Sequence, residues 1–229
     1  RVREGRFEAY SGAEGLTDSA VWSIFEDREG SLWVGTFGGG LNRFKNEKFT
    51  TFDTRAGLPN NTAWVTCESS DRTLWIGTDG GLTALKDGRF RTYTTADGLP
   101  HNSVSSLAED RDGALWVGTD GGGLARFKDG RFQRYGEREG LSHPSVLSLC
   151  EDRNGALWIG TNGGGRNVLR DGRIRAYTQR DGRSDNYIRA VLEDRRGDLW
   201  IGTNGGGLNR MRDGAFSCLT AKDGLPDDF

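Results

Sequence analysis

Residues 98–132 read GLPHNSVSSLAEDRDGALWVGTDGGGLARFKDGRF, and this stretch decides the fold because the chain repeats it. Its Leu-Trp pair recurs with the tryptophan at Trp33, Trp75, Trp116, Trp158 and Trp200, in steps of 42, 41, 42 and 42 residues. The one short step coincides with Gly80-Gly81, where the other units carry three glycines. Residues 98–139 and 140–181 share 24 identities in 42, so the register of every unit is readable. Within the quoted unit, four segments rich in β-branched and aromatic residues are separated by turn chemistry: Val104–Glu109, Leu115–Thr119, Leu124–Lys128 and Arg131–Tyr135. The Asp-Gly pair at 129–130 returns at 87–88, 171–172 and 213–214, and Asp-Gly between two strands is a strong hairpin signal. Four strands in about 42 residues is the arithmetic of a β-propeller blade, and no window carries the 3.6-residue period of a helical solenoid.

The expected fold class is therefore all-β: a β-propeller of four-stranded antiparallel blades, five blades from five repeats. The whole chain, 1–229, reads as a single domain with blades at approximately 20–53, 62–94, 103–135, 145–177 and 187–219. Residues 1–10 resemble the end of a third strand plus a fourth, and are expected as an extra outer strand. The integral count predicts a closed five-bladed ring running as a monomer. An open array would expose apolar faces and favour oligomers.

Composition agrees. The 36 glycines and 4 prolines of the 229 residues serve as punctuation between strands, without a collagen period. The 31 basic and 33 acidic side chains leave a net charge of −2 with the signs interspersed, which disfavours nucleic acid as a partner. No apolar run is long enough for membrane insertion of this segment. The chain starts at Arg1 without an initiator Met or signal segment, the expectation for a processed product or a piece of something longer.

The motifs also carry a resemblance. Gly98-Leu99-Pro100-His101-Asn102-Ser103-Val104, then Glu109-Asp110, Gly113, Leu115-Trp116-Val117-Gly118-Thr119, Gly122-Gly123-Leu124 and Phe132, resemble the two-component regulator propeller repeat, over essentially the whole chain. That resemblance implies a sensor propeller of a bacterial hybrid histidine kinase or related signalling protein, hence a periplasmic or extracellular location. Arg183 departs from the Leu of the other units, Ser69 from the Asp of Glu-Asp, and Arg72 from the turn glycine, where strain is expected.

Candidate chemistry is sparse. Glu26-Asp27, Glu109-Asp110, Glu151-Asp152 and Glu193-Asp194 recur at one position per unit, whereas an active site needs unlike groups converging once. They read as structural, so no catalytic residue is assigned, and Asp18 and Asp185 are the only weak candidates. Two histidines and three cysteines without C-x-x-C spacing argue against a metal, and no cofactor motif is present. The cysteines are expected as buried thiols. The glycine triplets read as tight turns, with Thr36, Thr78, Thr119, Thr161 and Thr203 stabilising them through their hydroxyls.

A binding site on near-identical units has to come from positions that break the repeat. The second residue of the first strand runs Trp22, Trp64, Ser105, Leu147, Arg189; Phe37 breaks the series Asp79, Asp120, Asn162, Asn204; and unit five carries Arg183 and Tyr187. Trp22, Phe37, Trp64, Arg183, Tyr187 and Arg189 are the candidate ligand-binding residues, an aromatic and basic set suited to a saccharide or another small molecule, or to a partner domain. The leading expectation is a non-catalytic recognition propeller. The alternatives are a glycoside-acting enzyme on the same scaffold, or a structural or engineered repeat array.

Overall fold

A computed structural model describes residues 2–3, 6–177 and 186–228. The chain divides into two compact units, residues 1–93 and 94–229. The first begins with β1 (Val2–Arg3) and β2 (Arg6–Phe7), which pair with each other as an antiparallel hairpin. Blade one follows as β3 (Val21–Glu26), β4 (Leu32–Thr36), β5 (Leu41–Lys45) and β6 (Lys48–Phe52); blade two is β7 (Ala63–Glu68), β8 (Leu74–Thr78), β9 (Gly81–Lys86) and β10 (Arg89–Tyr93). The second unit holds blade three, β11 (Val104–Glu109), β12 (Leu115–Thr119), β13 (Gly123–Lys128) and β14 (Arg131–Tyr135), and blade four, β15 (Val146–Glu151), β16 (Leu157–Thr161), β17 (Arg166–Arg170) and β18 (Arg173–Tyr177). Blade five is β19 (Ile188–Glu193), β20 (Leu199–Thr203), β21 (Leu208–Arg212) and β22 (Ala215–Leu219). Every blade is a meander of four sequential antiparallel strands, so the five-blade expectation holds, with boundaries within about two residues of the sequence reading.

Turn chemistry explains why these segments fold as they do. Asp87, Asp129, Asp171 and Asp213 sit at φ 49, 51, 50 and 50, each followed by a glycine at positive φ, the two left-handed residues that join twisted strands in a two-residue hairpin. Blade one achieves the same turn with Asn46 and Glu47, without glycine. Arg72 is held at φ 65 where Gly30, Gly113, Gly155 and Gly197 stand in the other blades, the left-handed strain expected of that substitution. Each glycine triplet closes the turn between second and third strands, and the preceding threonine donates its hydroxyl to the last glycine's carbonyl: Thr36 to Gly40 at 2.9 Å, Thr119 to Gly123 at 2.8 Å, Thr161 to Gly165 at 2.6 Å, Thr203 to Gly207 at 2.8 Å.

The repeated tryptophan lies between blades. Trp116 of blade three clusters with Leu141, Val146, Leu157, Ile159 and Leu169 of blade four, and Trp158 of blade four with Ile188, Val191, Leu199 and Ile201 of blade five. Trp33 does the same against Leu58, Ala63, Leu74 and Ile76 within the first unit. The buried-thiol expectation is corrected: Cys67 and Cys150, on first strands, are half-buried, Cys150 packing against the cluster that Trp158 forms with blade five, and Cys218 is exposed on an outermost strand.

Candidate functional site

The two ends of each first strand are built differently. At its C-terminal end lies the Glu-Asp pair, and the aspartate is fully occupied. Asp110 accepts from the Ala114 amide at 2.8 Å, the Asp112 amide at 3.0 Å and the Trp116 indole at 3.0 Å, while Arg126 pairs with it at 2.8 Å. Asp27, Asp152 and Asp194 hold Trp33, Trp158 and Trp200 in the same way, at 2.8, 2.9 and 2.9 Å. Burial works to raise the Asp110 carboxyl, but the Ala114 amide, Arg126 and the indole outweigh it and hold the group below the usual carboxylate range. In blade two, Ser69 takes over by accepting from Trp75 at 3.1 Å, and Asp71, bonded to Ser69 and Thr73 and paired with Lys86 at 2.6 Å, is also held low.

The glutamates bind between blades: Glu68 accepts from the Arg28 amide at 2.9 Å, Glu151 from Arg111 at 3.0 Å and Glu193 from Arg153 at 2.9 Å. The same arginines donate to the following blade's carbonyls, Arg28 to Ser69 at 3.1 Å, Arg111 to Asp152 at 2.9 Å, Arg153 to Asp194 at 2.9 Å. These carboxylates are a structural clamp, as their repetition suggested.

The N-terminal end carries the variation, for a local reason. The ladder between first and second strands slips between Val21 and Ser23, Ala63 and Val65, Val104 and Ser106, Val146 and Ser148, and Ile188 and Ala190. The residue left out of register is Trp22, Trp64, Ser105, Leu147 or Arg189. A β-bulge re-aims its extra side chain away from the regular pleat, so this position is released from the packing that constrains its neighbours.

In blades one and two that freedom assembles aromatic rings. Trp22 and Trp64 meet edge to face at 4.9 Å between centroids, and Phe37 approaches Trp64 at 5.9 Å. Trp22 is 58% exposed and Phe37 53% exposed, while the Trp64 indole donates to Asp79 at 2.8 Å. Phe37 is held by a bridge to Thr62. Three of the six candidates therefore share one solvent-facing cluster. Tyr187 and Arg189 belong to blade five in the second unit, where Tyr187 bridges to Asn162 and lies 3.5 Å from the position a Cβ on Gly163 would occupy, and Arg189 reaches Asn204 at 3.5 Å. Arg183, like Asp185, lies outside the described residues.

The weak catalytic candidate Asp18 proves to be turn furniture. It accepts from the Ala20 amide at 2.8 Å, as Asn60 does from Thr62 at 2.7 Å, His101 from Ser103 at 3.1 Å and His143 from Ser145 at 3.1 Å. One bond repeated by Asp, Asn and His requires an acceptor and nothing more. Sequence reasoning missed Asp79 as the partner of the Trp64 indole, although its place opposite Phe37 in the repeat was visible. Among the described residues no cluster of His, Cys, Asp or Glu could hold a metal ion.

Fold and site together define a β-propeller whose units are uniform at one end of the first strand and individual at the other. The Two component regulator propeller profile matches residues 15–38, 57–80, 98–121, 140–163 and 182–205, more than half of the sequence. The chain belongs to the two component regulator propeller family. No curated protein matches it. Among solved structures, it is similar to an extracellular domain assigned to a hybrid two component system of B. thetaiotaomicron, with 24% identity and a TM-score of 0.86 over 99% of this chain and 32% of that one. A second such domain from B. thetaiotaomicron aligns with 23% identity and a TM-score of 0.74 over 86% of this chain and 30% of that one. The chain thus spans about a third of the length of these two. Virginiamycin B lyase from Staphylococcus aureus shares the fold at 16% identity, TM-score 0.72, over 91% of this chain and 73% of the lyase.

Proposed function

We propose that this chain is a non-catalytic recognition propeller, the periplasmic or extracellular sensor part of a bacterial signalling protein, and that it binds a saccharide or similar small ligand on the end of the blades where the bulges lie. The observation that carries the reading is the Trp22, Trp64 and Phe37 cluster, in which Trp22 and Phe37 are exposed to solvent, since apolar rings left exposed cost burial and suit a ligand with flat apolar faces. Family membership and the likeness to extracellular domains of hybrid two component systems support the signalling role and the location. Among the described residues, no helix is long and apolar enough to cross a membrane.

Intrinsic tryptophan fluorescence and calorimetry against a panel of neutral and anionic oligosaccharides test the reading. A ligand should change the emission and bind at one site per chain, and Trp64→Ala should abolish both signals while leaving the melting midpoint nearly in place. Five equivalent sites per chain would assign binding to the repeated loops instead. Retained binding in Trp64→Ala and Trp22→Ala would remove the cluster from the site.

The lyase likeness raises an enzymatic reading, but His101, His143 and Asp18 all accept a backbone amide two residues ahead, and the repeated carboxylates hold tryptophans and arginines. Those engagements favour recognition over hydrolysis or elimination.

A further inference from the structure

Trp22, Phe37 and Trp64 all belong to the first compact unit, and Trp22 and Phe37 of blade one turn toward blade two to meet Trp64. The charge around them is of one sign. The segments that build this end of the two blades, 15–22, 36–40, 57–64 and 78–81, carry two charged side chains, Asp18 and Asp79, and no base. Arg55, in the connection just ahead of residue 57, is paired with Asp53 at 2.6 Å.

Both acids lie against the elements that carry the rings. Asp79 accepts through Oδ1 from the Trp64 indole at 2.8 Å. Asp18 accepts from the Ala20 amide through Oδ1 at 2.8 Å, and its Oδ2 lies 3.5 Å from the position a Cβ on Gly38 would occupy, beside the turn that presents Phe37. Among the described residues, none donates to that second oxygen.

Neither position needs a charge for the fold. Asn60 makes the bond of Asp18 in blade two, accepting from the Thr62 amide at 2.7 Å, and the place of Asp79 is taken by Asn162 and Asn204 in blades four and five. A neutral amide serves these turns elsewhere, so the negative charge at the ring cluster is surplus to local structure and free to act on a ligand. Ring faces and carboxylates attract a cation together, the first through the aromatic quadrupole and the second through Coulomb attraction, and both disfavour an anion.

We propose that the ligand of this cluster is a cationic saccharide, an amino sugar whose unacetylated ammonium donates to Asp18 Oδ2 within the field of Asp79 while its ring lies on Trp22, Trp64 and Phe37. The proposal rests on the recognition reading above and narrows it. The sequence pairs the aromatic residues with arginines, but the charges that the first unit brings to the rings are acidic, and Arg189 belongs to the second unit.

Calorimetry on the full chain against chitosan, chitin and cello-oligosaccharides of equal length tests this, because they share one backbone and linkage and differ in carrying an ammonium, an acetamide or a hydroxyl at the same carbon. The ammonium form should bind roughly 10-fold more tightly than either neutral form, the scale of a hydrogen bond to a charged group, and the preference should shrink with added salt. Asp18→Asn keeps the turn acceptor that Asn60 supplies in blade two. It should remove that preference and leave both the neutral forms' affinity and the melting midpoint in place. Asp79→Asn should reduce the preference to a smaller degree. Equal binding of all forms that Trp64→Ala abolishes would overturn the proposal and keep the cluster as a saccharide site, whereas binding that survives Trp64→Ala and Trp22→Ala would remove both. A preference for the ammonium form that persists when Asp18→Asn and Asp79→Asn are combined, or an ammonium form that does not bind, would also overturn it.

Discussion

The two ends of the first strand of each blade obey different rules. At the Glu-Asp end, four of five blades use the same aspartate to hold the turn and the tryptophan indole, and the fifth rebuilds the arrangement from Ser69 and Asp71. At the bulged end the same scaffold carries Trp, Trp, Ser, Leu and Arg. Ser105 there donates to the Val146 carbonyl at 2.5 Å and closes the gap to the next blade, whereas Trp22 and Trp64 stack outward. The difference teaches that a position inside the ladder is tied to its neighbours by packing, while a position ejected from it by a bulge can take any size or charge without disturbing the blade.

The largest expected effect is at the uniform end. Trp116→Ala should cost ~3–5 kcal/mol, because it empties an interblade cluster of its largest side chain, and chemical denaturation would measure it. An unchanged midpoint would break the comparison at its root.

Next comes Asp110→Asn, expected to cost about 2–3 kcal/mol at neutral pH by disturbing the bonds to Ala114, Trp116 and Arg126. The Asp110 carboxyl is held below its unfolded value, so its contribution is present above about pH 4 and is lost as pH falls through the lowered folded value. The gap between wild type and variant should therefore narrow on acidification below about pH 4. A gap that widens there would assign the stabilisation to another group.

Arg72→Gly sharpens the picture in the opposite direction. Relieving a left-handed arginine should gain roughly 1 kcal/mol, read as a raised melting midpoint. Smallest of all in stability is Trp64→Ala at the bulged end, within about 1 kcal/mol, the range of a substitution outside the core. A loss as large as that of Trp116→Ala would show that the bulged end is core after all.

Much of this was legible in the sequence because a repeat reports on itself. Leu-Trp spacing, Asp-Gly turns and glycine triplets each appear several times, so one reading is checked by the others, and the strands fall within about two residues of the expected bounds. The candidate site was legible only as a list of exceptions. That Trp22 and Trp64 meet follows from bulges that adjacent blades place side by side, with Phe37 joining Trp64 from the end of β4, and no spacing along the chain encodes a bulge. The half-buried and exposed thiols were misjudged for a related reason, since strand patterning does not say which neighbour covers a face.

By itself, the sequence determined the number of blades, the strands within them and the residues at which the units differ, because these depend on local turn chemistry and on a period of about 42 residues. Only the tertiary structure decided which exceptions meet and which carboxylates are consumed by indoles and amides. Those outcomes depend on what lies across a strand or an interblade gap, forty residues away in the chain and a few ångströms away in space.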